Sequence, residues 1–164
     1  MSFITATLPS SAVSRALKII LVVVAIAVFL VISAALARAL SAASAERGQI
    51  SVLIDDEARG NAGRMIARLE GCARSPECRA RQQLNARTLR RGGVIKILNL
   101  DPSTRFSLGP LTAVTRVAWQ REGAPHVTVQ CVGIRRTGNV VSGFDLGLTA
   151  LSRPIGSEAS CPGA

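Results

Sequence analysis

The amino-acid sequence predicts an α+β fold, in which an N-terminal transmembrane helix precedes a small domain of two helices packed on an antiparallel sheet of about four strands. Three features of the sequence support this prediction. Residues Ile19 to Ala37 are apolar and uncharged, all four cysteines follow them, and the spacing of apolar residues changes from helical to alternating after Gly92.

The segment from Ile19 to Ala37 has the length of a membrane-spanning helix. Its 19 residues carry no charge and lie between Lys18 and Arg38. At about 1.5 Å per residue they form a helix of roughly 28 Å, close to the ~30 Å of a bilayer's hydrocarbon core. We therefore expect a short cytoplasmic tail at 1–18, the transmembrane helix at 19–37, a spacer at 38–48 and the folded domain at 49–164.

A cleaved secretory signal is the alternative to an anchor, because Ala43-Ser44-Ala45 has the small-residue pattern of a cleavage site. The apolar run is longer than the roughly 7 to 15 residues of a signal's apolar region, which favours an anchor. We expect one pass through the cytoplasmic membrane, with secretion after cleavage near Ala45 as the alternative. The flanking charges are nearly balanced, so the prediction that the domain lies outside the cytoplasm rests on its cysteines.

Two helices are predicted in the first half of the domain. Apolar residues at helical spacing follow the acidic run Asp55-Asp56-Glu57, which predicts a helix over about 55–70 that begins with these acids. Acids at a helix start are a commoner reason for such a run than a cation site. Ser75-Pro76-Glu77 has the order of a capping residue, a first-position proline and a first-turn acid, and predicts a surface helix over about 76–90.

Four strands are predicted after Gly92-Gly93. Val94 to Leu98 is nearly all apolar, as in a strand covered on both faces. The other three strands show apolar residues at alternate positions, which would face the core. The alternating residues are Val117 and Trp119; Val127, Val129 and Cys131; and Phe144, Leu146, Leu148 and Ala150. Turns are predicted at Asp101-Pro102-Ser103, Glu122 to Pro125 and Thr137-Gly138-Asn139.

The four cysteines predict two disulfide bonds in an oxidising compartment. An even number of cysteines after an export-type segment favours pairing, and three pairings are possible. Local geometry prefers Cys72 with Cys78 and Cys131 with Cys161, because a new helix at Pro76 brings the first pair within reach. The spacing fits neither a zinc site nor a C-x-x-C redox centre, and we expect no metal or cofactor. An inverted topology would instead leave buried, reduced cysteines in a cytosolic domain.

The layout of an N-terminal apolar helix, a small antiparallel sheet and a C-terminal disulfide is similar to that of type IV pilins and pseudopilins. The resemblance is one of architecture. Those families have an acidic residue near the start of the apolar segment and a Gly-Phe processing site before it, and this sequence has neither. Assembly into a fibre is therefore not expected.

The domain is basic, with 17 Arg or Lys against 10 Asp or Glu from Glu46 onwards. Lysine is nearly absent, which indicates a GC-rich bacterial genome and explains part of the arginine content by codon bias. Nine arginines fall between Arg59 and Arg91, where they form either a solvated helical surface or a surface for an anionic partner. The residues of this predicted arginine surface are Arg64, Arg68, Arg79, Arg81, Arg87, Arg90 and Arg91.

No catalytic pattern accompanies the few candidate residues. His126 is the single histidine, and it could act with a distant acid such as Asp145, but the sequence has no serine elbow, metal motif or phosphate-binding glycine pattern. We therefore lean against an enzyme and expect no catalytic residues.

The leading hypothesis is a membrane-anchored, non-enzymatic accessory protein of the bacterial cell envelope, whose outer domain binds a protein partner. The first alternative is a cationic domain that binds anionic envelope polymers or lipid head groups. The second is an enzyme or solute-binding module with an unrecognised site. Nucleic acid is the least expected partner, because the domain lacks interleaved aromatic residues and is predicted to lie outside the cytoplasm.

Overall fold

A computed structural model describes residues 10–90, 92–100, 109–123, 125–139 and 143–161. The fold is α+β, as predicted, and its four strands form one antiparallel sheet in the order β1-β2-β3-β4. The elements are α1 (Ser10–Ala58), α2 (Ala62–Arg68), a 3-10 turn (Cys72–Arg74), α3 (Pro76–Thr88), β1 (Ile95–Leu100), β2 (Leu111–Arg121), β3 (Thr128–Asn139) and β4 (Gly143–Leu151). The predicted turn at Asp101-Pro102-Ser103 lies outside the described residues.

The chain divides into two compact units, residues 1–37 and 38–164, and α1 contributes to both. In the first unit α1 contains a segment that is long and apolar enough to cross a membrane, and the apolar side chains of this segment are exposed. In the second unit the predicted spacer at 38–48 is helical and belongs to α1. It already contributes buried residues, namely Ala42, Ala43 and Glu46.

The last three turns of α1 form the centre of the domain. Ile50, Leu53 and Ile54 are completely buried and recur at helical spacing on one side of α1. They belong to the same core cluster as Val117, Trp119, Val132, Ile134 and Leu148 of the sheet. We call the sheet face that packs against α1 the inner face.

The prediction of one helix over 55–70 is wrong. α1 ends at Ala58, and Gly60 has a φ of 75°, a left-handed conformation that an α-helix does not contain. Asn61 then begins α2, since its side chain accepts a hydrogen bond from the backbone N–H of Arg64. The acidic run Asp55-Asp56-Glu57 consequently lies in the last turn of α1 and not at a helix start.

The third helix begins where the sequence predicts. The Ser75 side chain accepts a hydrogen bond from the backbone N–H of Cys78 at 3.2 Å, and Pro76 occupies the first turn. α3 ends at Thr88, two residues before the predicted end. Although it contains few apolar residues, α3 is partly buried, and its buried side includes Gln82, Asn85 and Ala86.

The first strand differs from its prediction. β1 is an edge strand, and its outward side chains are exposed, including Leu98 and the preceding Val94, which is 68% exposed. A nearly all-apolar run therefore did not mean burial on both faces here. Ile97 nevertheless packs against the core, and the register with β2 shifts between Ile97 and Asn99.

In β3 the alternation of Val127, Val129 and Cys131 also predicted the wrong face of the strand to lie against the core. Gln130 points to the inner face and is completely buried, whereas Val129 and Cys131 are buried on the opposite face. That second face is covered by the C-terminal segment, residues 152–161, because Val129 pairs with Ile155 and Cys131 is bonded to Cys161. Val127 is exposed.

In β4, Leu146 and Leu148 are buried as predicted. The predicted alternation fails further on, because the register between β3 and β4 shifts between Gly133 and Ile134. Leu151 is therefore buried and Ala150 is exposed.

The four cysteines lie in two disulfide pairs with the locally preferred connectivity. Cys72 is bonded to Cys78 with their Cα atoms 5.2 Å apart, which joins the 3-10 turn to the first turn of α3. Cys131 is bonded to Cys161 with their Cα atoms 5.7 Å apart, which joins β3 to the C-terminal segment. In the part of the chain that the structure describes, no cysteine is free.

We expect Gly60→Ala to lower the free energy of unfolding by about 1–2 kcal/mol, because alanine is strained at a left-handed φ. The new Cβ would also lie 2.9 Å from Cδ of Arg90 and 3.2 Å from the carbonyl oxygen of Ala86. Gly48→Ala is the matched control: it lies within α1 with nothing within 4 Å of the new Cβ. This control should raise the free energy by about 0.5–1 kcal/mol.

Both glycine variants are measured by urea unfolding of the full-length chain in detergent, followed by the fluorescence of its single tryptophan, the buried Trp119. Equal shifts in the same direction would contradict the assigned break between α1 and α2.

Loss of the two disulfides should have unequal effects. Replacing Cys131 and Cys161 together by serine should cost about 4 kcal/mol, and replacing Cys72 and Cys78 together about 2 kcal/mol, because the first bridge closes the longer loop. The same urea unfolding compares the two double variants. A larger loss from the Cys72/Cys78 variant would show that the short bridge does more than restrict the unfolded chain.

Candidate functional site

The two edges of the sheet differ in how they are protected. The edge of β4 is covered, because the backbone N–H of Glu70 donates to the carbonyl oxygen of Leu148 at 2.7 Å, and the Gln49 side chain donates to that of Leu146 at 3.0 Å. β1 forms the opposite edge, and within the described residues it pairs only with β2. The open edge is therefore the one formed by β1.

A groove runs between α1 and this open edge. One part, of about 500 Å³, is lined by Ser51, Val52, Asp55 and Arg59 of α1 and by residues 93–95 and Ile97. An adjoining part, of about 380 Å³, is lined by Arg47, Ser51 and residues 97–100. Ser51 and Ile97 line both parts, so we treat them as one feature, the α1–β1 groove.

Exposed apolar side chains concentrate at the α1–β1 groove. Between residues 49 and 161 the structure describes five exposed large apolar side chains. Three of them, Val52, Val94 and Leu98, line the groove. The other two are Leu84 on α3 and Val127 before β3. Clustered exposed apolar residues are typical of interaction sites, whereas single ones are common on any protein surface.

The backbone of β1 offers hydrogen-bonding groups at the groove. The carbonyl oxygen of Val94 accepts a hydrogen bond from the N–H of Glu122 at 2.9 Å, which makes Val94 and Glu122 a hydrogen-bonded pair. In an antiparallel ladder such pairs alternate, so the N–H and C=O of Ile95 and Ile97 point away from β2. They point to the open edge, where these two residues also line the groove.

The charges around the groove are mainly positive. Asp55 and Arg59 form an ion pair of 2.8 Å and neutralise each other locally. Arg47 and Lys96 are exposed, and among the described residues neither side chain has an acidic partner within ion-pair distance. Among the described residues, the groove thus combines exposed apolar residues, a strand edge without a pairing partner and positive charge.

The predicted arginine surface is divided between two helices. Arg64 and Arg68 lie on α2, Arg79, Arg81 and Arg87 lie on α3, Arg90 follows α3, and Arg91 lies outside the described residues. The structure brings Arg64 and Arg68 together around one acid: Asp56 is 2.7 Å from Nε of Arg68 and 3.8 Å from Arg64.

Two arginines of α3 are also held by neighbouring groups. Arg81 pairs with Glu77 at 2.8 Å, and Arg79 donates to the carbonyl oxygen of Ala73 at 2.8 Å. Internal partners therefore occupy part of the hydrogen-bonding capacity that an external anion would need.

His126 and Asp145 do not form a pair. His126 is exposed just before β3, whereas Asp145 is opposite Thr137, near the other end of β3. Thr128 and Thr137 are nine residues apart on β3, which corresponds to roughly 30 Å of strand. Within the described residues no group of three or more His, Cys, Asp or Glu side chains could hold a metal ion.

Sequence reasoning missed a network of buried polar side chains between α1, α3 and β3. The Gln130 side chain donates to Oε1 of Glu57 at 2.8 Å and accepts from the Trp119 indole N–H at 2.8 Å. Asn85 and Gln82 of α3 donate to the carbonyl oxygens of Ser152 and Leu151. These bonds join α1 to β3, and they join α3 to the last residue of β4 and to the residue that follows it.

Glu57 is the ionisable side chain of this network. Burial raises its pKa from 4.5 to about 7, and hydrogen bonds from Gln130 and Asn85 only partly oppose this shift. Its Oε2 atom is buried and has no hydrogen-bond partner among the described residues. The carboxyl group is therefore a source of pH-dependent stability rather than a group available to a substrate.

A second buried charge lies nearer the start of the domain. Glu46 is completely buried and accepts a hydrogen bond from the Thr115 hydroxyl at 2.6 Å. Arg136 of β3 is also buried. Its side chain donates a hydrogen bond to the carbonyl oxygen of Gly109 and stacks on the Phe144 ring at 4.2 Å. Burial lowers the pKa of Arg136, and the charge of Glu46 opposes this shift.

Fold and site together define an α+β domain with an apolar N-terminal helix, two disulfides and an open-edged groove. Comparison of the chain with models of protein families, with characterised proteins and with solved structures finds no match. Its function must therefore be argued from its own geometry.

Glu57→Gln should change the pH dependence of stability. Because the folded pKa is about 7 and the ordinary value is 4.5, this group's contribution is fully present below about pH 4.5, falls as the pH rises and is lost above about pH 7. A shift of this size corresponds to about 3 kcal/mol. Relative to wild type, the neutral variant should thus gain about 3 kcal/mol between about pH 4.5 and 8.

Urea unfolding at a series of pH values measures this gain, with the exposed Glu77→Gln as the matched control. Parallel pH curves for wild type and Glu57→Gln would show that folding leaves the pKa of this carboxyl group unchanged, and would contradict the raised pKa.

Proposed function

We propose that the chain is a single-pass protein of the bacterial cytoplasmic membrane, whose folded domain lies outside the cytoplasm and binds another envelope protein without catalysing a reaction. The observation that carries the binding role is the concentration of exposed apolar side chains at the α1–β1 groove. A groove beside an open strand edge is a surface that a soluble domain normally protects.

Membrane anchoring is supported by the exposed apolar segment of α1, and the two disulfides are compatible with an oxidising space outside the cytoplasm. Retention of that segment has further support from the domain itself. Cleavage near Ala45 would remove Ala42 and Ala43, which are buried in the second unit. It would also place a new charged amino terminus beside the buried Glu46.

The alternatives have less support from the geometry. Binding of anionic polymers or lipid head groups through the arginine surface would compete with the internal partners of Arg64, Arg68, Arg79 and Arg81. An enzyme would need catalytic groups in reach of one another, whereas His126 and Asp145 lie near opposite ends of β3.

The groove can be tested by affinity isolation of the full-length chain from alkaline-washed, detergent-solubilised membranes. Val52→Glu should reduce the recovery of a co-isolated envelope protein about tenfold or more, because its carboxylate would be buried without a partner in the interface. Leu84→Glu is the matched control: Leu84 is 41% exposed and Val52 is 40% exposed, and both lie on helices.

Recovery equal for wild type, Val52→Glu and Leu84→Glu would contradict binding through the groove. The same preparation tests the anchor by mass measurement. A soluble chain that starts at Glu46, or a chain released from membranes by the alkaline wash, would contradict membrane anchoring.

A further inference from the structure

The open edge of β1 and the α1–β1 groove offer complementary contacts to one kind of ligand. The N–H and C=O groups of Ile95 and Ile97 point out of the sheet in the plane of the strands. The groove lies beside these groups, and the exposed apolar residues Val52, Val94 and Leu98 are among the residues that line it. Backbone groups and alternating side-chain pockets are the two elements of strand addition.

We propose, on the basis of the proposed function, that β1 binds an extended acidic segment of the partner protein as an additional strand of the sheet. Side chains at alternate positions of that segment enter the α1–β1 groove. Its carboxylates contact Arg47, which lines the groove, and Lys96, which is exposed on β1 but does not line the groove.

An extended segment fits this surface better than a helix does. β1 has six residues, which corresponds to about 20 Å of strand, and the outward polar groups of its backbone are satisfied by another strand. A helix has no free backbone N–H or C=O groups along its sides, so it would bury those groups of Ile95 and Ile97 without partners.

The charges favour a different protein over a second copy of this chain. Pairing of two β1 strands would bring two copies of Lys96 close together on a domain that is basic throughout. Like charges on paired strands destabilise them, and the bulge after Ile97 further disfavours a regular ladder between two copies. An acidic segment removes the repulsion and gains the two cationic contacts.

The test is a selection from a display library of random peptides of about ten residues, performed on the full-length chain in detergent. We expect enrichment of proline-free peptides in which apolar residues alternate with polar ones and which contain Asp or Glu. Such a peptide should slow hydrogen exchange at the backbone amides of Ile95 and Ile97 about tenfold or more and leave the amides of β4 unchanged.

Two pairs of variants locate the contacts. Lys96→Glu should weaken binding of the selected acidic peptides about tenfold, whereas Arg87→Glu, an equally simple charge reversal on α3, should not. Val52→Glu should weaken binding, and Leu84→Glu should not. The circular dichroism of each variant shows whether it is folded before its binding is measured.

Several results would overturn strand addition: a selection that yields no binder, peptides that bind as helices, or affinity unchanged by Lys96→Glu and Val52→Glu. Protection of α3 instead of β1 would also overturn it. These failures differ from failure of the proposed function. If co-isolation of the envelope protein still depends on Val52, the groove binds a partner by another mode. If co-isolation does not depend on Val52, binding through the groove is contradicted as well.

Discussion

The packing of residues 46–58 of α1 on the inner face of the sheet is the interaction on which the rest of the domain depends. Ile50, Leu53 and Ile54 of this segment pack in the same core as Trp119, the single tryptophan of the chain. Burying each large apolar side chain contributes about 1.5–3 kcal/mol, so this one helix face provides a large part of the stability of a small domain. The two disulfides join the 3-10 turn to α3 and β3 to the C-terminal segment.

The same helix face also carries two carboxylates into the core. Glu46 and Glu57 are completely buried on the side of α1 that packs against the sheet, and each is met by a polar side chain of a strand, Thr115 or Gln130. The alignment of α1 on the sheet is thereby fixed more narrowly than by apolar packing alone, since sliding the helix would leave both carboxylates unpaired. Burial raises the pKa of Glu57, so we expect this network to stabilise the domain less as the pH rises.

Local signals in the sequence predicted much of the fold, and non-local contacts account for the errors. Ser75-Pro76 predicted the start of α3, and Gly92-Gly93 marked the change to strands, because capping and turn chemistry act within a few residues. The break at Gly60 was missed because apolar spacing continues across it. Burial of Gln130 was missed because it depends on contacts that local periodicity does not reveal. Its partner Glu57 is distant in sequence, and the spacing between Gln130 and Trp119 follows no periodic pattern. One usable signal was overlooked: Glu46, Ile50, Leu53 and Glu57 recur at helical spacing, which places both acids on the apolar face.

The open edge of β1 was missed for a related reason, and its chemistry shows how such an edge can remain selective. A run such as Val94 to Leu98 has the composition of a central strand, and only the order of strands in the sheet makes it an edge. An exposed apolar edge promotes self-association unless charge or a bulge opposes it. β1 has both, in Lys96 and in the register shift after Ile97. These features disfavour pairing between identical basic chains, but they do not disfavour an acidic strand. In the proposed complex, Lys96 would therefore both disfavour pairing with another copy of the chain and favour an acidic ligand.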